Sequence, residues 1–263
     1  MSFQDKEIQR FELQPHVLKE VGGENLKHDF DLIDSYFDDI KGYIYTGIHM
    51  SDFKKSIEIA FKSRLLILIS SVLNRSLLLK DAVVQALNDS NFPAFYAIDK
   101  SFMEIAALLG YIVYVIENEN DYQKIMKKLE RLYLGNKEAG GFSVGQVEAI
   151  NVMTMFEKAD KVFMAGVPTD HPPGGDRPLS ESYANVCNYG HPNYNAHLSS
   201  GIMDHKTARW NAKTDSDGYK TELYGFYMPW FAIPISAIKI FCSMIFRHPK
   251  VNNFEGLEKH RLF

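Results

Sequence analysis

Residues 52–87 read DFKKSIEIAFKSRLLILISSVLNRSLLLKDAVVQAL, and this stretch decides the fold class. It contains neither glycine nor proline, the two residues that most often end a helix. Ser51 and Asp52 precede its apolar part and are suited to cap the first turn. Its middle is apolar on nearly every side, which is typical of a helix that is buried all round. The sequence therefore predicts a long helix over 52–87 at the centre of the molecule.

On both sides of this stretch, apolar residues recur at intervals of three and four, the period of an α-helix. Strand patterns are sparse, and the alternation over 199–221 is too weak to assign strands. Further helices are predicted over residues 25–44, 93–116, 122–134, 146–164, 179–190 and 222–246. We expect an all-α, multi-helix bundle in a single domain over 1–263, with an irregular N-terminal arm over 1–22.

Residues 166–178, GVPTDHPPGGDRP, interrupt the helical pattern. Prolines and glycines are too dense there for a helix to continue. This stretch does not divide the chain into two apolar cores, so we predict a loop insertion within one domain. Later in the chain, Pro229 and Pro234 predict a bend in the last helix, over residues 222–246.

Composition excludes several classes of protein. The chain carries 29 Lys+Arg against 33 Asp+Glu, and 46% of its residues are hydrophobic. A chain this apolar is not intrinsically disordered. It also lacks the excess positive charge of a protein that coats nucleic acid, so any contact with RNA must be confined to a local cleft. Its two cysteines cannot form a disulfide-rich scaffold.

Nothing in the sequence predicts a targeting or membrane segment. The first residues have mixed charge and no apolar run, unlike a secretory signal. The apolar stretch 65–73 is too short to cross a bilayer, and 223–238 contains two prolines and is followed by Lys239. We therefore expect a cytoplasmic protein with no membrane partner.

The most unusual stretch is residues 183–197, YANVCNYGHPNYNAH. Helical spacing places Tyr183, Val186 and Cys187 on one face, with Asn185 and Asn188 displaced from it. The helix would end at His191, where the carbonyl dipoles favour a protonated imidazole. A histidine there can serve as a general acid or base, or it can simply cap the helix.

These residues, Tyr-x-x-Val-Cys-x-x-x-His-Pro-Asn over 183–193, resemble a bacterial family of uncharacterised helical proteins. Residues 98–107, IDKSFMEIAA, look like that family's second motif, Arg-Ser-Leu-x-Glu-x-Ala, with Lys100 in place of the arginine. The family is similar to the HEPN superfamily of α-helical domains. The resemblance covers about residues 51–197, the expected HEPN-like core, and 222–246 would add a C-terminal core helix.

The resemblance implies a role in RNA metabolism or in anti-phage or toxin-type defence, and a homodimer. A catalytic member would be a metal-independent endoribonuclease with His191 as acid and base. The superfamily's arginine, which is separated from the histidine by four to six residues, is absent, since positions 184–186 are Ala, Asn and Val. Lys100 or Arg64 could replace it in space. The other catalytic residues would then be Asn185, Asn188, Lys100 and Glu104, of which Asn185, Asn188 or Lys100 would contact phosphate. The substrate-binding residues would be Tyr183, Tyr189 and Asn193.

Two alternatives remain open from the sequence. A non-catalytic interaction or scaffold module would use the same motif structurally; Glu104, in the middle of an apolar helix, would then pair with a cation or hydrogen-bond the 183–191 helix. A metal-dependent hydrolase would use His191, His197 and Asp204-His205, but no pair has the spacing of an established metal motif. We therefore predict no metal and no cofactor.

Overall fold

The computed structural model describes residues 10, 12, 14–15, 24–48, 56–89, 91–133, 148–166, 176–190, 201–204, 206–212, 228–251 and 259–261. Seven helices run through these ranges, and their side chains share one hydrophobic core. They are α1 Glu24–Lys41, α2 Ile57–Asn88, α3 Phe92–Asn118, α4 Tyr122–Tyr133, α5 Val152–Gly166, α6 Pro178–Gly190 and α7 Met228–Arg247. The predicted all-α, multi-helix bundle is confirmed.

Two small antiparallel ladders accompany the helices. β1 (Tyr45–Ile48) pairs with β4 (Lys259–Arg261), and β2 (Gly201–Asp204) pairs with β3 (Arg209–Ala212). Each strand has only three or four residues. Such short segments give too few alternations to predict a strand, which is why the sequence did not assign them.

The central helix is α3, which packs against α2, α4, α5, α6 and α7. The prediction that the 52–87 helix is central is therefore wrong, because α2 leaves Ile67 and Leu78 exposed on its outer face. Within the described residues, α3 is the one helix long and apolar enough to cross a membrane. However, 67% of its apolar window is buried inside the molecule, as in the core helix of a soluble protein.

Both ends of α3 are held by side chains. Asn91 accepts a hydrogen bond from the backbone N–H of Ala94, and Pro93 occupies the first turn, where no N–H is needed. At the other end, the ammonium of Lys250 donates to the carbonyl oxygens of Ile116 (2.7 Å) and Glu119 (2.8 Å). A cation at this end also suits the helix dipole.

Gly110 lets α5 and α7 approach α3 closely. A β-carbon at position 110 would lie 2.5 Å from the β-carbon of Ala159 and 2.8 Å from the ring of Phe241. Only glycine fits at such a distance. α3, α5 and α7 therefore meet at this residue.

Between α1 and α2, the ammonium of Lys80 pairs with the carboxylate of Asp34. Only 3% and 8% of these side chains are exposed. Lys80 also lies 5.1 Å from the centroid of the Phe37 ring, an arrangement that favours the cation. This buried pair joins α1 to α2.

Several predicted boundaries fall outside the described residues. These are the helix cap at Ser51–Asp52, most of the arm over 1–22 and the loop over 167–175. In the described residues, Ser56 caps α2 by accepting from the N–H of Ile59. In α7, Pro229 lies in the first turn and Pro234 lies inside the helix.

Candidate functional site

The candidate site is built around α6, whose first turn is held by a carboxylate from α5. Asp160 accepts hydrogen bonds from the backbone N–H groups of Leu179 (2.8 Å) and Ser180 (3.2 Å), and from the Ser180 hydroxyl. Burial raises the pKa of Asp160, against the opposing effect of these hydrogen bonds and of Arg177. Asp160 thus acts as a helix cap supplied by another helix.

In the middle of α6, Tyr183 is the main point of contact with α3. Its hydroxyl donates to Oε1 of Glu104 at 3.2 Å, and the ammonium of Lys100 lies 5.9 Å from its ring centroid. The centroid of the Phe156 ring of α5 lies 4.3 Å from the centroid of the Tyr183 ring. Of the two expectations for Glu104, an ion pair or a hydrogen bond to this helix, the hydrogen bond is found, with Tyr183 as the donor.

The environment of Tyr183 keeps its hydroxyl protonated. Burial raises the pKa of Tyr183 above its usual range, and Cys187 and Glu104 raise it further. A neutral phenol can donate to Glu104, whereas a phenolate would repel that carboxylate. Tyr183 is 8% exposed, so its contacts in this structure are with protein side chains. Its packing role is shown, and a role in binding substrate is not.

Near the end of α6, Tyr189 stacks on Tyr96 of α3. The ring centroids are 4.9 Å apart and the planes differ by 19°. Offset aromatic stacking of this kind contributes about 0.5–1.5 kcal/mol beyond the buried area. Together with Asp160 and Tyr183, this stack attaches α6 to the bundle along its whole length.

The opposite face of α6 carries the two predicted asparagines. Asn185 and Asn188 are exposed, while Val186 between them is buried. The face assignment made from helical spacing is therefore confirmed. On the inner face of α6, Tyr183 meets Lys100 and Glu104 of α3, so the structure brings these three side chains together. Asn185 and Asn188 lie on the exposed face of α6, apart from them.

His191 and Asn193 follow α6 directly in sequence and lie outside the described residues, as do His171, His197 and His205. Arg64, the other cation considered in place of the missing arginine, pairs with Glu130 of α4 at 2.5 Å. Within the described part of the chain, no cluster of three metal-ligating side chains occurs.

Sequence reasoning missed two acids at this site. Asp160 could not be linked to α6, since 19 residues separate it from Leu179. Asp99 was quoted in a motif but given no role. It lies on the same helical face as Tyr96 and Met103, which is a signal of burial. It is 4% exposed, its Oδ1 has no hydrogen-bond partner among the described residues, and burial raises its pKa to about 7.

No family model matches the chain, and neither a curated protein nor a solved structure matches it.

Proposed function

We propose that this chain is a HEPN-like bacterial protein of RNA metabolism or anti-phage defence, and that it cleaves RNA without a metal through His191. The observation that carries the proposal is the attachment of α6. This helix is capped by Asp160, held at Tyr183 and stacked at Tyr189, and the His-Pro-Asn motif begins one residue after its end. A general acid or base needs such a rigid support to keep its position.

The proposed reaction needs only an acid and a base. Neutral His191 accepts the proton of an RNA 2′-hydroxyl, whose oxygen attacks the adjacent phosphorus, and the bond to the 5′-oxygen breaks. The leaving 5′-oxygen receives a proton from the imidazolium. The products are a 2′,3′-cyclic phosphate and a 5′-hydroxyl, so atoms and charge balance without water or a metal.

The described residues divide between two tasks in this proposal. Asn185 and Asn188 lie on the exposed face and offer amide groups to phosphate or base edges. Glu104 and Tyr183 position the helix from its inner face, and Lys100 adds a positive charge there. RNA contact is then confined to a local cleft near the end of α6, as the overall charge of −4 requires.

Replacing His191 by alanine tests the proposal. Single-stranded RNA is incubated in EDTA with the wild type, with His191→Ala and with His28→Ala, an exposed histidine of α1 that serves as the matched control. We expect His191→Ala to lose about 10²–10⁴-fold in cleavage rate, the typical contribution of a positioned acid–base group. His28→Ala should cleave normally. Cleavage that survives in His191→Ala would sink the proposal.

A non-catalytic interaction or scaffold module is the second candidate. The observation that favours it is that Glu104, Tyr183 and Tyr189 already have protein partners. This alternative predicts that neither the wild type nor His191→Ala cleaves RNA and that His191→Ala only lowers the melting temperature. A metal-dependent hydrolase is third, and elemental analysis that finds stoichiometric metal would promote it.

We also propose that the protein is cytoplasmic with no membrane partner, as the sequence predicts, and that it forms a homodimer, as the resemblance implies. Light scattering coupled to gel filtration measures the oligomeric state directly. A mass of twice 30.1 kDa supports the dimer, and a single chain mass at micromolar concentration rejects it.

A further inference from the structure

Asp99 is a buried carboxyl group without a polar partner among the described residues. Its side chain lies on α3 with 4% exposure, and its Oδ1 accepts no hydrogen bond from them. Buried polar atoms nearly always have a partner, because burying one without a hydrogen bond is costly. The cost falls when an ion or a water molecule binds there, or when the carboxyl group holds its proton.

The neighbours of Asp99 along α3 locate it at a junction of three helices. Tyr96, one turn before it, stacks on Tyr189 of α6. Phe95 and Phe102, one turn to either side, contact Phe231 of α7 at 5.7 and 5.5 Å between ring centroids. Asp99 therefore lies where α6 and α7 both pack on α3, among aromatic rings.

Among the described residues, no charge near this junction stabilises the carboxylate. The ionisable groups of α6 are Glu181, Tyr183, Cys187 and Tyr189, those of α7 are Lys239, Cys242 and Arg247, and Lys100 and Glu104 follow Asp99 on α3 itself. Lys80 lies over Phe37 where that ring meets Phe102. Lys239 pairs with Asp39 and Lys80 with Asp34, so both cations are engaged elsewhere. Burial is the cause of the shift that brings the pKa of Asp99 to about 7.

We propose that Asp99 makes the docking of α6 on α3 proton-dependent: the protonated carboxyl is buried while α6 is docked, and its ionisation favours an open state in which α6 leaves α3 and water reaches Asp99. The element that opens is α6 because it is short, with 13 residues against 20 in α7. It is held at Asp160, Tyr183 and Tyr189, and an opening of α6 would break these contacts together. The proposal does not depend on the RNA reaction.

The sign and size of the effect follow from proton linkage. In the open state Asp99 would titrate near its ordinary pKa of about 3.9. Between that value and about 7 the docked state binds more protons, so opening becomes more favourable as pH rises and then levels off. Between about pH 5.5 and 8.5 the opening equilibrium constant should increase about 30-fold.

Hydrogen exchange of the amides of α6 measures this opening. Exchange is followed by mass spectrometry from about pH 5.5 to 8.5, corrected for intrinsic rates, in the wild type, in Asp99→Asn and in Asp89→Asn. Asp89 is an exposed acid just after α2 and serves as the matched control. We expect protection of α6 to fall about 30-fold in the wild type and in Asp89→Asn, and to stay level in Asp99→Asn.

Two results would overturn the proposal. One is an equal pH response of α6 in the wild type and Asp99→Asn. The other is a loss of protection that is the same in every helix, since that would be global unfolding rather than local opening.

If Asp99→Asn does not fold, carbon-13 NMR of aspartate carboxyl groups in the wild type decides the matter. One resonance titrating near pH 7 supports the proposal, and titration of all of them below about pH 5 rejects it.

Discussion

At the scale of single residues, the Lys80–Asp34 pair makes the strongest prediction. Removing one member of a buried pair leaves the other charge in a poor environment, which typically costs about 3–5 kcal/mol. We therefore expect Lys80→Met to lower the free energy of unfolding by about that amount in urea denaturation. The double variant Lys80→Met with Asp34→Leu should recover most of the loss, because it removes both charges together.

An exposed pair provides the control for that experiment. Lys161 and Glu157 are 3.1 Å apart on α5, with 61% and 49% of their side chains exposed. Water and salt screen such a pair, so Lys161→Met should change stability by less than about 1 kcal/mol. Equal effects of Lys80→Met and Lys161→Met would show that the burial of the Lys80 pair contributes nothing.

Gly110 gives a second prediction at this scale. Alanine normally stabilises a helix relative to glycine by about 0.5–1 kcal/mol. At position 110, however, the new methyl group would overlap Ala159 and Phe241, and overpacking costs about 1–3 kcal/mol. We expect Gly110→Ala to lower the melting temperature. Gly166→Ala is the matched control, since its methyl would meet Met244 at an ordinary 3.7 Å, and it should change stability little.

At the scale of elements, the cap of α6 is the contact to test. Asp160→Ala removes the acceptor for the N–H groups of Leu179 and Ser180, and losing a cap costs about 0.5–2 kcal/mol. In Asp160→Ala we expect faster hydrogen exchange of the amides of α6. In Asp160→Asn, which keeps one oxygen as an acceptor, the loss of protection should be smaller. Unchanged exchange in α6 after Asp160→Ala would contradict the assignment of this cap.

The existence of the helices was predictable, and α1, α3, α4 and α6 begin within one residue of the predicted position, but α5 does not. Helical periodicity is local, so every helix named from the sequence is found. The start of α5 was predicted at residue 146, but Asn151 accepts a hydrogen bond from the N–H of Met153 and the helix begins at Val152. Where several polar residues precede a helix, periodicity does not decide which of them caps it.

At the scale of the whole molecule, the sequence predicted the class of fold and missed its centre. Both α2 and α3 are apolar, and the packing of α5, α6 and α7 on α3 makes α3 the central helix. The same holds at the site. A polar partner for Glu104 was predictable because a carboxylate on an apolar helix needs a donor or a cation, but Tyr183 was not named as that donor. The roles of Asp160 and Asp99 depend on contacts between distant segments, which no local pattern contains.

The chemistry at the end of α6 is the central claim, and the RNA product tests it most directly. Mass spectrometry of the ends produced from single-stranded RNA in EDTA identifies the reaction from one sample. We predict 2′,3′-cyclic phosphate and 5′-hydroxyl ends in the wild type, because His191 would use the 2′-hydroxyl as the nucleophile. RNA that stays intact, or that is cut only with added metal to 5′-phosphate ends, would contradict it.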